Sequence, residues 1–223
     1  MKTVSNKHDE LGKYFAQHLS AMTSDISPKQ IDRLWQDIVM RYGEPQRAYH
    51  TLNHIQQLLI QLESIKHHLA EPHIIALALY YHDVVYDPTR SDNELKSAEY
   101  ATDVLSPYLS PEQYQQTHAL IMMTANHQID TLVASDKYND AAYLLDMDLS
   151  ILGAPWTAYE QYAKAIRQEY KHIADDSYRD GRTAVLQGLL AHPKLYLTDH
   201  YYDQLETQAR DNIKRELTSL AAL

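Results

Sequence analysis

The dipeptide His82-Asp83 closes an apolar segment of the chain and places two ionisable side chains at its end. The segment HIIALALYYHD is apolar on every side until it reaches this pair, and a helix that is apolar all round is a buried one. Burying an isolated carboxylate costs several kcal/mol unless a cation or a hydrogen-bonding partner compensates the charge. A His-Asp pair that is hydrogen-bonded at a helix end would also compensate the charge. The dipeptide alone therefore does not distinguish such a pair from a metal site.

Two further segments carry side chains that a metal site would use. His50 and His54 in YHTLNHI are four residues apart, so we expect them on one helix face, about one turn apart. In LLDMDLSILG, Asp148 has only leucine and isoleucine three and four residues away, whereas Asp146 also has alanine, tyrosine and serine at those distances. This spacing predicts that Asp148 faces the core and is the better ligand, while Asp146 lies on nearly the opposite face.

Composition limits the kind of site and the kind of partner. The chain of 223 residues has no cysteine, so a metal must take histidine and carboxylate ligands. Its formal net charge of −10 argues against nucleic acid as the main partner, although a small phosphorylated ligand remains compatible with it. The first twenty residues lack an apolar core of a signal peptide, and no apolar run approaches a membrane span. We therefore expect a soluble, cytoplasmic protein without a membrane partner.

Helices must position these residues, because the chain is rich in helix-forming residues and has only 5 glycines. Ser27-Pro28 and Ser110-Pro111 predict two helix starts by a capping serine followed by proline. Residues 128–141 are expected to form a polar excursion. Hydrophobic periodicity and breakers predict an all-α fold with helices at about 9–20, 28–42, 47–68, 72–83, 94–105, 111–124, 143–152, 157–172, 181–191 and 204–220.

The motifs RYGEPQRAYHTLNHI, YYHDVVYDPTRSDNELKSA, IMMTANHQ and LLDMDLSILG resemble those of the HD superfamily of metal-dependent phosphohydrolases. Within that superfamily the chain is similar to a bacterial family of predicted metal-dependent HD phosphohydrolases, from about residue 35 to residue 217. The resemblance implies a single HD-type helical bundle spanning residues 1–223. Its core would cover about residues 45–155, and helices within 156–220 would pack on that core.

The resemblance also implies a metal centre, whose ligands by matching motif are His54, His82, Asp83 and Asp148. Whether His50 or His54 is the first ligand stays open, and His50 would otherwise contact phosphate or support a ligand. We favour one metal ion, although some superfamily members bind two; His118 and His127 are the candidates for such extra ligands. Two imidazoles and two carboxylates suit Mn, Fe, Ni, Zn, Co or Mg without choosing between them.

Other site residues follow from the resemblance in the same way. Asp87 and Glu94 lie just downstream of the His-Asp pair, where superfamily members place a catalytic acid or base, and either residue could instead cap a loop. We expect Arg182 and Arg210 to be structural. The residues expected to bind substrate are Arg47, His50, Lys96 and His127.

The implied activity is hydrolysis of a phosphate ester by a metal-activated water, on a nucleotide or another small phosphorylated metabolite. The alternative is a non-catalytic HD module that binds metal or nucleotide and regulates a partner. A di-iron oxidoreductase would need two Glu-x-x-His pairs, and only Glu169 to His172 fits that pattern. A tyrosine-rich interaction bundle would bind no metal. The sequence leaves open the identity of the substrate and whether the protein forms a homo-oligomer.

Overall fold

A computed structural model describes residues 2–129 and 135–222 of the protein. This part of the chain is helical and contains no β-strand, which confirms the all-α fold class. None of the helices found there is both long and apolar enough to cross a membrane. The helices are α1 (Lys2–Met22), α2 (Pro28–Tyr42), α3 (Leu52–Ile65), α4 (Pro72–Tyr81), α5 (Asn93–Leu105), α6 (Pro111–Met123), α7 (Ser135–Leu149), α8 (Trp156–Glu169), α9 (Asp175–Ala191) and α10 (Asp199–Ala221).

The chain divides into two compact units, Met1–Leu144 and Leu145–Leu223, and the division falls within α7. In the first unit α4 is the central helix, because it packs against α1, α3, α5 and α6. Every residue from Ile74 to Tyr81 is buried, as the uniformly apolar sequence predicts. The HD-type core at about residues 45–155 stays a prediction.

The second unit is built around α10, which packs against α9 and against a 3-10 turn at Ser150–Gly153. A side chain at Gly153 would meet Leu205, because an added Cβ would lie 2.6 Å from the Leu205 Cβ atom. Arg182 is buried and donates from Nε to the Glu216 carboxylate at 2.8 Å, which is the kind of structural role expected for it. Because Gly153 has no side chain, the turn can lie close to α10. The ion pair between Arg182 and Glu216 joins α9 to α10.

Capping side chains set four of the helix starts in the described part of the chain, those of α2, α3, α6 and α10. Ser27 and Ser110 both form capping boxes with a glutamine three residues later, which confirms the two predicted starts. The helix α3, however, begins at Leu52 instead of near residue 47, because the Thr51 side chain accepts from the Asn53 N–H and caps the helix there. His50 therefore lies before the helix, and the prediction that His50 and His54 share a helix face is wrong.

Three helices of the C-terminal half begin earlier than their apolar patterns indicate. The helix α7 begins at Ser135, within the stretch 128–141 that was predicted as a polar excursion and of which residues 130–134 lie outside the described part. The helices α9 and α10 begin at Asp175 and Asp199, whose first turns are polar. Acidic residues stabilise a helix N-terminus through its dipole, so apolar periodicity alone misses these turns.

His18 on α1 is buried and faces His73 on α4, with 3.0 Å between their Nδ1 atoms. Burial, and next the neighbouring His73, lower the pKa of His18 from 6.5 to about 4, while Glu63 opposes this effect. Between these two pH values His18 is protonated in the unfolded chain and neutral in the folded protein. The free energy of unfolding contributed by neutral His18 is therefore present above pH 6.5 and is lost as the pH falls towards 4.

We predict that His18→Asn removes this pH dependence. An amide can keep a hydrogen bond near the position of the imidazole Nδ1, and the cost of its smaller volume does not change with pH. Urea unfolding at pH 7 and pH 5 should show the wild type losing roughly 1–2 kcal/mol more than the variant. His67→Asn, at an exposed histidine, is the matched control and should behave like the wild type. An equal loss in His18→Asn and wild type would contradict the assignment.

Candidate metal centre

His82 ends α4 and presents its ring to the interior of the first unit. Its backbone N–H donates to the Ala78 carbonyl at 2.9 Å, and its side chain is only 2% exposed. The ring Nδ1 lies 2.8 Å from the Leu79 carbonyl oxygen. Because a carbonyl can only accept, Nδ1 carries a proton and donates it. In the neutral ring, Nε2 then carries a lone pair, which is the tautomer that metal-binding histidines commonly adopt.

The Nε2 atom of His82 faces two other potential ligand atoms. His54 Nε2 lies 3.3 Å away and Asp83 Oδ2 lies 2.9 Å away. A lone pair and a carboxylate repel one another at this distance, so either a proton, carried by Nε2 or by the carboxyl group, or a cation must lie between them. Two ligands at about 2.0–2.1 Å from one metal are about 2.8–3.4 Å apart for angles between 90° and 109°. Both distances fit a shared ion.

His54 and His50 approach the same carboxylate from the start of α3. The Nε2 atoms of both rings lie 3.9 Å from Asp83 Oδ2. His54 is buried and is the ring that meets His82. His50, in the loop before the helix, has its ring centre 4.3 Å from that of Tyr86. This geometry favours His54 as the first ligand and puts His50 beside it.

His54, His82 and Asp148 form a group that can hold a metal ion, because one ligand atom of each lies within 4.8 Å of the others. Asp148 is half-buried near the end of α7. Buried imidazoles and a carboxylate are a donor set that suits hard or borderline divalent ions. Asp83 Oδ2 lies 2.9 Å from His82 Nε2, but Asp83 is not one of this group of three, and its role as a fourth ligand stays a prediction.

Asp146 is the more deeply buried of the two α7 carboxylates, so the predicted order of burial is wrong. It is 0% exposed and accepts from the N–H groups of Leu197 and Thr198 at 2.7 and 2.8 Å and from the Thr198 hydroxyl at 2.6 Å. Burial raises its pKa, and these hydrogen bonds oppose the shift. Asp146 therefore fixes the backbone of Leu197 and Thr198, just before α10. The spacing of residues along α7 does not reveal these partners.

Arg47 holds the backbone that carries Asp83. Its Nη1 donates to the Asp83 carbonyl at 2.7 Å and to the His50 carbonyl at 3.1 Å, and its Nη2 donates to the Val84 carbonyl at 3.1 Å. Its Nε donates to Glu44, and the side chain is 0% exposed. Arg47 thus fixes the backbone at Asp83, Val84 and His50. Substrate binding by Arg47 stays a prediction.

Two side chains of α5 hold the other half of the same segment. Ser97 Oγ accepts from the Val85 N–H at 3.1 Å and lies 3.2 Å from the Val85 carbonyl, to which it donates. Asn93 accepts from the Asp87 N–H at 3.0 Å and donates to the Asp87 carbonyl at 2.9 Å. Neither residue is predicted from the sequence to have this role. The sequence shows only two polar residues four apart, which places them on one helix face, and the structure shows that both are buried.

The predicted catalytic residues lie at the far end of this segment. Asp87 Oδ1 accepts from the Thr89 N–H and hydroxyl at 2.9 and 2.7 Å, which is the loop-capping alternative given above. Glu94 is half-buried in the first turn of α5. A catalytic role for either residue stays a prediction.

The remaining predicted residues lie outside the group of three. Lys96 is on α5 and forms a surface ion pair with Glu99 at 2.7 Å. His127 follows α6 with a φ of 52°. His118 Nδ1 lies 3.1 Å from the Thr102 hydroxyl. Substrate binding by Lys96 and His127 stays a prediction.

No family model, curated protein or solved structure matches the chain. The resemblance to HD phosphohydrolases therefore rests on the motifs in the sequence. Metal binding is supported by the short distances from His82 Nε2 to His54 and Asp83 and by the group of His54, His82 and Asp148.

We predict that Arg47→Met weakens metal binding as well as stability. Methionine fills much of the same space but leaves the carbonyls of Asp83 and Val84 without their donor. The free energy of unfolding should fall by about 2–4 kcal/mol, and the affinity for Zn²⁺ should fall by about 10- to 100-fold. Both are measured on the purified protein, by urea unfolding and by competition with a chelator.

Arg210→Met is the matched control for this substitution. Arg210 also bonds a nearby glutamate, Glu206, and donates to three carbonyls at the end of α9. Its loss should lower stability while leaving Zn²⁺ affinity unchanged. If both variants lose affinity equally, the effect comes from general destabilisation and Arg47 does not position the cluster.

Proposed function

We propose that the protein is a metal-dependent phosphohydrolase that acts on a small phosphorylated metabolite. In this proposal His54, His82, Asp83 and Asp148 hold one divalent cation. The observation that carries it is the hydrogen bond from His82 Nδ1 to the Leu79 carbonyl. This bond turns a lone pair on Nε2 towards His54 and Asp83, an arrangement that a cation stabilises and an apolar core does not.

The surroundings of the cluster support hydrolysis as the reaction. A divalent cation bound there would supply a water of lowered pKa and would polarise a phosphoryl oxygen. His50 lies 3.9 Å from Asp83 Oδ2, at the edge of the cluster, where it can donate a hydrogen bond to a phosphoryl oxygen. Glu94 is the proposed proton donor to the leaving group, as in the HD proteins that the chain resembles. Mn, Fe, Ni, Zn, Co and Mg all suit these ligands.

We predict that His82→Asn abolishes phosphate release while preserving the fold. The asparagine amide can still donate to Leu79, because its nitrogen replaces the imidazole Nδ1, but the side chain has no counterpart of Nε2. Nucleotides and phosphate esters should be screened with each divalent ion in turn. The wild type should release phosphate from at least one compound, and the variant should be slower by about 100-fold or more.

His67→Asn serves as the control at an exposed histidine and should keep full activity and full metal content. Metal content is measured on the same samples. Tight metal binding by the wild type with no phosphate release across the screen would contradict the proposed reaction and favour the regulatory module. Equal activity in His82→Asn and wild type would contradict the proposed site.

A further inference from the structure

A cleft of about 410 Å³ opens in the first unit beside the segment that follows Asp83. Its walls come from the end of α2, the loop after it, residues 85–90 and the start of α5. The lining residues are Arg41, Glu44, Gln46, Val85, Tyr86, Asp87, Arg90 and Lys96. The volume is in the range of sites that hold small metabolites.

Tyr86 connects this cleft to the candidate metal centre. It lines the cleft, and its ring centre lies 4.3 Å from that of His50. His50 Nε2 in turn lies 3.9 Å from Asp83 Oδ2. One aromatic ring and one imidazole thus lie between the cleft and the Asp83 carboxylate, so the cleft and the cluster are neighbours.

Arg41 offers donors to a ligand from the α2 side. Its Nε donates to Asp37 at 3.0 Å, and its guanidinium lies over the Tyr100 ring at 3.8 Å. These contacts and a side-chain hydrogen bond with Tyr100 hold the guanidinium in place. A guanidinium has five N–H donors, so it can bond a further acceptor as well. A guanidinium fixed in this way is well suited to bind a phosphate with two parallel hydrogen bonds.

Arg90 and Lys96 add two cations from the α5 side. Each forms an ion pair at the surface, with Asp92 at 2.6 Å and with Glu99 at 2.7 Å, and each side chain is more than a third exposed. An exposed pair with a single contact contributes little to stability, so a ligand phosphate can replace Glu99 beside Lys96 at small cost. Arg90 bonds Asp92 through both Nε and Nη2, at 2.8 and 2.6 Å, and brings its charge to the cleft. Lys96 is one of the residues expected to bind substrate, and it would do so in this cleft.

The two carboxylates of the cleft are already engaged by neighbouring groups. Glu44 Oε2 accepts from Gln46 at 3.0 Å and from Arg47 at 3.2 Å. Asp87 Oδ1 accepts from Thr89. The donors that remain for a ligand therefore belong to the three cations, in a chain whose formal net charge is −10. An anion is the ligand that these donors fit.

We propose that this cleft binds a second phosphate group of the substrate, one that is not hydrolysed. The inference rests on the proposed function and deepens it, because it defines the substrate class: a small metabolite with at least two phosphate groups. One phosphate would lie at the candidate metal centre, and the other would lie between Arg41, Arg90 and Lys96.

Pyrophosphate binding to the metal-free protein tests the cleft separately from the hydrolase. Isothermal titration in EDTA at low salt should show binding to the wild type. The double variant Arg90→Gln/Lys96→Gln should bind about tenfold more weakly, because two charge-assisted hydrogen bonds are lost. Arg41→Gln should also bind more weakly.

The second unit provides a matched control, Arg179→Gln/Lys164→Gln. Arg179 and Lys164 also form surface ion pairs, with Asp176 and Glu160. This variant loses the same charge and should bind pyrophosphate as the wild type does. No binding to the wild type, or equal weakening in both double variants, would overturn the inference. Neither result depends on whether the metal-loaded protein releases phosphate, so the two proposals fail separately.

Discussion

The hydrogen bond from His82 Nδ1 to the Leu79 carbonyl is the constraint on which the candidate centre depends. It uses a helix carbonyl that the end of α4 leaves available, and it decides which ring nitrogen carries the proton. The lone pair of Nε2 then lies beside His54 Nε2 and Asp83 Oδ2. The apolar helix α4 thus ends in a partly buried polar cluster, where a bound cation would offset the cost of desolvating the Asp83 carboxylate.

The chain departs from the helix after His82, so its backbone groups need hydrogen-bond partners outside the helix. Arg47 bonds the carbonyls of Asp83 and Val84 from one side, and Ser97 and Asn93 bond Val85 and Asp87 from the other. Side chains thereby replace the hydrogen bonds that a helix would have supplied. The same segment forms one wall of the cation-lined cleft, so one set of contacts positions the metal ligands and the proposed phosphate subsite.

The sequence predicts what depends on local pattern. The burial of α4 follows from its composition, the starts at Ser27 and Ser110 follow from capping chemistry, and the grouping of His54, His82 and Asp148 follows from motif order. It does not predict what depends on a distant partner. Asp146 is buried because it bonds the backbone entering α10, and Arg47 is engaged by carbonyls more than thirty residues away. No periodicity within either segment encodes these contacts.

Nitrogen NMR of the histidine rings during a Zn²⁺ titration tests the central claim most directly. Before metal is added, Nδ1 of His82 should carry a proton, because it donates to the Leu79 carbonyl. At one equivalent of Zn²⁺ the Nε2 resonances of His54 and His82 should shift together, while those of exposed His67 should not move. The claim would be contradicted if Nδ1 of His82 carried no proton, or if neither ring responded to Zn²⁺.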